Sequence, residues 1–306
     1  MRKNKVVVVG SYNVDMTITT DAFPQAGETV IGNEMSYGHG GKGANQAVAA
    51  CRAGAYATLI ARVGTDEHGD KAVEALKAEG VDISCIQKEQ LTPTGMAVIT
   101  VNSQGENTIV VISGANRQLS PQDIESESHT FTDADVLLAQ LETPLESVAA
   151  AINCARKTNT TVILNPAPAQ SLPPELLRYV DVITPNLVET EMLTNIRITD
   201  EKSLHESAAV LHSYGIDIVL ITLGAKGVFL SYPGKSKLIP AIDVDVVDTV
   251  GAGDVFNGVL AAYYSNNNDL EEVVALAIVA AGLSVTIQGA QNSIPTLETI
   301  KSCGIH

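Results

Sequence analysis

Six short runs rich in β-branched residues, at 6–9, 58–61, 135–139, 161–164, 180–184 and 218–222, are interleaved with helical patterns at 43–53, 71–79, 145–157 and 203–214. A strand followed by a helix of that length returns to pair in parallel, because a tight hairpin cannot reverse the chain across it. The runs are apolar almost throughout, as strands covered on both faces must be. The expected fold is therefore α/β, a mostly parallel sheet with helices on both faces. Two segments depart from the alternation. Residues 16–20 with 29–35, and 95–101 with 107–112, alternate apolar and polar without an intervening helix, and Gln104-Gly105-Glu106 reads as a hairpin turn. They predict a small antiparallel β lid, approximately 14–36 and 94–113, inserted in a single domain spanning 1–306.

Composition narrows what such a fold can do. With 306 residues, 45% of them hydrophobic and 18% charged, the chain can bury a large core. The formal net charge is -16 and no Lys/Arg cluster stands out, which excludes a nucleic-acid partner. Cys51, Cys85, Cys154 and Cys303 are isolated, without metal or redox spacing, and read as buried or half-buried thiols in a reducing compartment. The apolar run at 6–9 ends at once in Gly10-Ser11-Tyr12-Asn13, so it is a strand rather than a signal segment. The later apolar stretch, 273–287, is interrupted by Gly282, Ser284 and Thr286 and is too short to span a bilayer. The expectation is a soluble, cytoplasmic protein with no membrane partner.

Two glycine-rich stretches carry the chemistry. The first reads Asp248-Thr249-Val250-Gly251-Ala252-Gly253-Asp254-Val255-Phe256-Asn257-Gly258, and a helix over 252–264 is expected to follow its turn. Glycines there let backbone N–H groups approach a ligand at the positive end of the helix, where phosphate binds. A carboxylate repels phosphate, so Asp254 has two readings. It either complements the helix dipole, or it accepts the proton of a substrate hydroxyl while the amides stabilise a transferring phosphoryl group. The second stretch, Tyr37 to Ala47, reads YGHGGKGANQA ahead of an Ala-rich helix. Gly38, Gly40 and Gly43 match G-x-G-x-x-G formally, but the first strand runs instead into Gly10-Ser11-Tyr12-Asn13-Val14-Asp15, so a dinucleotide site is rejected. Lys42 is followed by Gly43 and not by Ser or Thr, which also rejects a P-loop. What remains is a loop that lets a ligand lie against backbone, with Lys42 and Asn45 as donors.

Five ordered motifs then carry a resemblance. Asn13-x-Asp15, Gly40-Gly41-Lys42-Gly43-Ala44-Asn45-Gln46-Ala47, Asn186-x-x-Glu189, Thr222-Leu223-Gly224-x-x-Gly227 and Asp248-Thr249-x-Gly251-Ala252-Gly253-Asp254 resemble the PfkB carbohydrate kinase family. The likeness runs from the first strand to Pro295. It implies the Rossmann-like sheet of that family, with the β lid closing over a sugar and pairing two subunits into a homodimer. A sheet with an exposed apolar face needs such a partner; the alternative is a lid packed only on its own domain.

The resemblance also implies roles. Asn13, Asp15, Gly41, Lys42, Asn45 and Glu142 would contact the sugar. Taken alone, Asp15 would be a strand-end turn and Glu142 a helix N-terminal charge. Asp254 would be the general base, with Gly251, Ala252 and Gly253 as the anion hole. Asn186, Thr222, Gly224, Gly227 and Gly253 would face the nucleotide, ATP, with Ile278 an apolar wall near adenine. Glu189 would organise Mg²⁺ through water, since that ion sheds its waters reluctantly. K⁺ would sit beside Asp248, Val250, Ser284, Ile287, Gly289 and Ser293, where Asp248 and Ser293 could otherwise simply close turns. The implied reaction is ATP-dependent phosphorylation of the ribose 5-hydroxyl. Asn165-Pro166-Ala167-Pro168-Ala169 has no cation, which disfavours an acidic sugar. 2-Deoxyribose, fructose and adenosine remain alternative acceptors, and a sugar-sensing protein without catalysis is a further one. Val259 replaces a usual small residue just after the glycine turn, which would shift helix packing slightly.

Overall fold

The computed structural model describes residues 4–265 and 268–303. In chain order the strands are β1 (Lys5–Val9), β2 (Asn13–Thr19), β3 (Glu34–Gly40), β4 (Tyr56–Gly64), β5 (Ile86–Glu89), β6 (Gly95–Val101), β7 (Asn107–Ile112), β8 (Val136–Ala139), β9 (Thr161–Leu164), β10 (Val182–Ile183), β11 (Ile218–Thr222), β12 (Val228–Tyr232) and β13 (Lys235–Ile239). One sheet has the order β13-β12-β11-β10-β9-β8-β1-β4-β5 and a second the order β3-β2-β6-β7. From β11 to β5 every pairing is parallel, whereas β12 and β13 add as an antiparallel edge.

Side chains two apart on a strand share a face, and β1 shows what that does. Val6 and Val8 enter one core with the helices Lys42–Arg52, Ala252–Tyr263 and Leu270–Ser284, while Val7 and Val9 enter the other with Leu145–Thr158 and Glu201–Ser213. The expected sheet with helices on both faces is what forms. Lys42–Arg52 and Ala252–Tyr263 cross closely because of one residue. A Cβ at Gly258 would lie 2.5 Å from the Ala49 Cβ and 2.5 Å from the Gln46 carbonyl oxygen. Val259 instead points into the core and is buried.

The second sheet is the expected lid, with two refinements. Each hairpin is antiparallel, but β2 and β6 join them in parallel, Asn13 opposite Gly95. Both strands start at the edge of the large domain and run outward, so they must point the same way. The 29–35 segment is not the second strand. Because β2 already begins at Asn13, its register demands a partner over Glu34–Gly40, which includes glycines that read as loop. Gly40 is needed in that strand, since a Cβ there would meet the Asp15 carboxylate at 2.3 Å. The turn at 104–106 forms, with Gly105 at φ +80. Among the described residues, no helix is long and apolar enough to cross a membrane, and no cluster of three His, Cys, Asp or Glu could hold a metal directly. Cys85 and Cys154 are buried and Cys51 half-buried, as expected; Cys303 is exposed, because it follows the last short helix at the surface.

Candidate active site

Parallel strands end together, and the polar residues singled out above collect at those carboxyl ends. Ser11 to Asp15 follow β1, Glu142 follows β8, Asn165 follows β9, Asn186 follows β10 and Gly224 follows β11. Asn13 and Asp15 open β2 instead of forming a turn, which fixes both side chains in a sheet. Asn116 clamps this root: its amide nitrogen donates to the Tyr12 carbonyl and to Asn13 Oδ1, both at 2.9 Å, and its oxygen accepts from the Tyr12 N–H at 3.0 Å.

The glycine loop has a structural reason beyond ligand access. Gly41, the N-cap of Lys42–Arg52 at φ +88, and Gly43 both pass so near residues 10–13 that a Cβ would fall 2.6 Å from backbone atoms. This tight passage seats the helix N-terminus against β1. The Lys42 N–H donates to Glu142 Oε2 at 3.0 Å, and the Ser11 hydroxyl donates to the same oxygen. Glu142 is thus held by two segments that sequence reasoning treated separately; Ser11 was missed, and only its place directly after a buried strand could have signalled it.

Asp254 lies at the opposite wall. Gly251, left-handed at φ +79, caps the helix Ala252–Tyr263, and the first bond of its ladder runs from the Val255 N–H to the Gly251 carbonyl at 2.9 Å. The N–H groups of Gly253 and Asp254 precede that ladder, at the positive end of the helix. The Asp254 carboxylate is 5% exposed, accepting from Asn45 Nδ2 and from Gln46 Nε2, each at 2.9 Å. Asn45 Oδ1 is buried and, among the described residues, accepts no hydrogen bond.

Electrostatics tie the two walls. Burial pushes the Asp254 carboxyl above the usual range, opposed by the Lys42 ammonium and by the Asn45 and Gln46 amides. Burial, Glu142 and Asp254 together raise Asp15 to about 6. The Lys42 amine is held protonated chiefly by Asp254, with Glu142 and Glu189 adding to it against desolvation. One cation therefore faces several carboxylates in a largely dry cleft, a setting that suits a neutral polyhydroxyl ligand better than an anionic one.

Asn186 and Glu189 form a reciprocal cap on the helix Leu187–Thr194. Asn186 donates its N–H and its amide to the two Glu189 oxygens, both at 2.8 Å, and accepts from the Glu189 N–H at 2.9 Å. Glu189 is buried, not a solvated helix residue, and burial raises its carboxyl. Each of its oxygens accepts one hydrogen bond from Asn186 and keeps a lone pair for water or an ion. Thr222 bridges to Asn186 at the end of β11, and Gly224 beside it has open space where a Cβ would be. Gly227 serves packing, since a Cβ would strike the Ile239 carbonyl at 2.0 Å. Ile278 lies in the core with Val274 and Ala277, with little surface left to meet a base.

The two segments expected to hold a monovalent cation do meet. Asp248 accepts from the Val250 N–H at 3.0 Å and from the Gly289 N–H at 2.9 Å, stitching 248–250 to the 284–293 turn. The Ser284 and Ser293 hydroxyls donate to the carbonyls of Ala281 and Ala290, leaving their oxygen lone pairs open. A hard cation accepts such oxygens, so the donor set fits.

A dry cleft at the strand ends, a carboxylate at a helix N-terminus and a β lid define a small-molecule phosphotransferase of the carbohydrate kinase class. Residues 3–297 match the model of the pfkB family carbohydrate kinases, and the chain belongs to that family. A ribokinase of Haemophilus influenzae is 45% identical over 296 residues, covering 97% of this chain and 96% of that protein. A ribokinase of Staphylococcus aureus is 41% identical over 299 residues, covering 97% and 98%. The solved structure of Arabidopsis thaliana ribokinase complexed with ribose and ATP has a TM-score of 0.92 with this one at 31% identity, covering 99% of this chain and 98% of that.

Proposed function

We propose that this chain transfers the γ-phosphoryl group of ATP to the 5-hydroxyl of D-ribose, giving ribose 5-phosphate and ADP. The observation that carries this reading is the Asp254 carboxylate, buried at a helix N-terminus and held by Asn45 and Gln46. The proton of O5–H passes to Asp254 as the O5–Pγ bond forms, and the bond from Pγ to the bridging oxygen breaks so that ADP leaves with its electron pair. N–H groups over Gly251 to Asp254, with Gly251, Ala252 and Gly253 shaping the turn, stabilise charge on the transferring group.

Asn13, Asp15, Gly41, Lys42, Asn45 and Glu142 bind the sugar. Asn45 Oδ1, without a partner, accepts from one of its hydroxyls, which is the kind of contact that makes a site reject analogues lacking that group. Asn186, Thr222, Gly224 and Gly253 border the phosphates, with Gly227 packed against the Ile239 carbonyl to shape the loop and Ile278 contributing at most an edge to the adenine pocket. Glu189 would hold Mg²⁺ through water, and the ion would supply charge neutralisation at the phosphates. Asp248, Val250, Ser284, Ile287, Gly289 and Ser293 would hold K⁺, whose charge would steady the anion-hole turn. The protein acts in the cytoplasm as a homodimer through the lid.

The test is ADP release by the purified protein with MgATP and K⁺ on ribose, 2-deoxyribose, fructose and adenosine. Turnover on ribose well above the others supports the reading, while preference for another acceptor moves the substrate and leaves the mechanism. No turnover on any acceptor overturns it. Identical rates with K⁺ and with a bulky organic cation would remove the K⁺ site alone.

A further inference from the structure

Behind Asp254 lies a chain of amides buried in the core. Gln46 is 0% exposed and uses both hydrogens of its amide, one to Asp254 Oδ1 at 2.9 Å and one to Asn165 Oδ1 at 3.1 Å. Its oxygen accepts from Gln140 Nε2 at 2.6 Å. Asn165 passes the direction on to the Thr184 carbonyl at 3.2 Å, and the Thr184 hydroxyl donates to Asn257 Oδ1 at 2.6 Å. Asn257 then donates to the Gly253 carbonyl at 2.8 Å, so the network ends on the peptide whose N–H belongs to Asp254.

Direction is the informative property of this chain. An amide can turn either its oxygen or its nitrogen toward Asp254, and the wrong choice sets an oxygen against a carboxylate. The carboxylate, which only accepts, selects the nitrogen, and Gln140 reinforces that choice by donating its N–H₂ to the Gln46 oxygen. The arrangement is expensive: Gln140 Oε1 is buried with no partner among the described residues, pressed over Gly10 where a Cβ would come within 2.1 Å. A purely structural core would favour an apolar residue there.

We infer that Gln46, oriented by Gln140, is a positioning residue that fixes the Asp254 carboxylate as a proton acceptor. The inference rests on the reading of Asp254 as general base. The neighbouring Asn45 has an acceptor open to substrate and its hold on Asp254 can change when sugar binds, whereas Gln46 has no substrate to turn to. Charged groups facing Asp254 are Lys42 on the helix Lys42–Arg52, Asp15 on β2, Glu142 after β8 and Glu189 on the helix Leu187–Thr194. Against these carboxylates, a second amide donor keeps the ionised form accessible.

The test compares Gln46→Met, Gln140→Met and Asp254→Asn as full chains, by kcat and ribose KM across pH with thermal melting alongside. Gln46→Met should lose a charge-assisted hydrogen bond, moving the acid limb of kcat up by about one to two pH units, with ribose KM within about threefold. Gln140→Met keeps the donor but frees its orientation and should move the limb the same way by less. If Gln46→Met does not fold, Gln140→Met decides: a shifted limb supports the inference and an unmoved one overturns it. A lowered melting temperature with no shift in the limb marks Gln46 as structural only. If Asp254→Asn stays active, the general-base reading itself has failed; if it is inactive while both Met variants keep the wild-type profile, only the positioning role has.

Discussion

Asp15 shows how burying a single carboxyl beside two others costs stability. Its folded-state value of about 6 lies above its ordinary 3.8, so the folded protein holds a proton that the unfolded chain releases. For this group stability is therefore full below pH 4 and is lost as pH rises through 6. Asp15→Asn should make the protein more stable at pH 8 by about 1–3 kcal/mol, with the gain shrinking toward pH 4, while ribose KM rises. Denaturant melts at the two pH values check this, and an equal effect at both would contradict it. The same residue marks a limit of reading from sequence. Asn13-x-Asp15 is visible as a motif, but the raised pKa of Asp15 follows first from its burial and then from Glu142 and Asp254, which arrive from distant segments.

Two helix N-termini of similar sequence are built for different reasons, and alanine separates them. At Gly43 a methyl would meet backbone of Gly10 and Ser11 at 2.6 Å, so Gly43→Ala should drive Lys42–Arg52 off β1 and destabilise by about 1–3 kcal/mol. At Gly253 no heavy atom lies within 4 Å of the added methyl. Gly253→Ala should keep or raise stability by up to about 1 kcal/mol, as alanine does in helices, yet lower kcat by about 10²-fold by crowding the phosphoryl path. Thermal melts beside steady-state kinetics distinguish the two, and equal stability losses would deny the distinction. At this scale the sequence was a good guide wherever order is local. The strand and helix runs and the 104–106 turn formed close to their expected places. β3 was displaced because its location depends on register with β2 across the lid, and glycines that look like loop are demanded there by Asp15.

For the molecule as a whole, the lid is the unfinished part. On β7, Ile109, Val110, Val111 and Ile112 are all at least half exposed, and Met35 and Tyr37 on β3 are exposed with them. An apolar edge strand of that kind invites another chain. Val110→Glu should shift sedimentation from dimer to monomer at micromolar concentration and weaken ribose binding, while a wild-type monomer would rule the dimer out. The α/β class was fixed by sequence because parallel strands buried on both faces need continuous apolar runs, and those are written locally. The glycine turns and the carboxylate of Asp254 were equally visible as motifs. Which amides hold that carboxylate was decided only by tertiary structure. Gln46 stands 208 residues from Asp254 and Gln140 stands 94 from Gln46. Hydrogen-bond direction inside a dry core depends on every neighbour around it, and that neighbourhood exists only once Gly258 lets the two helices meet.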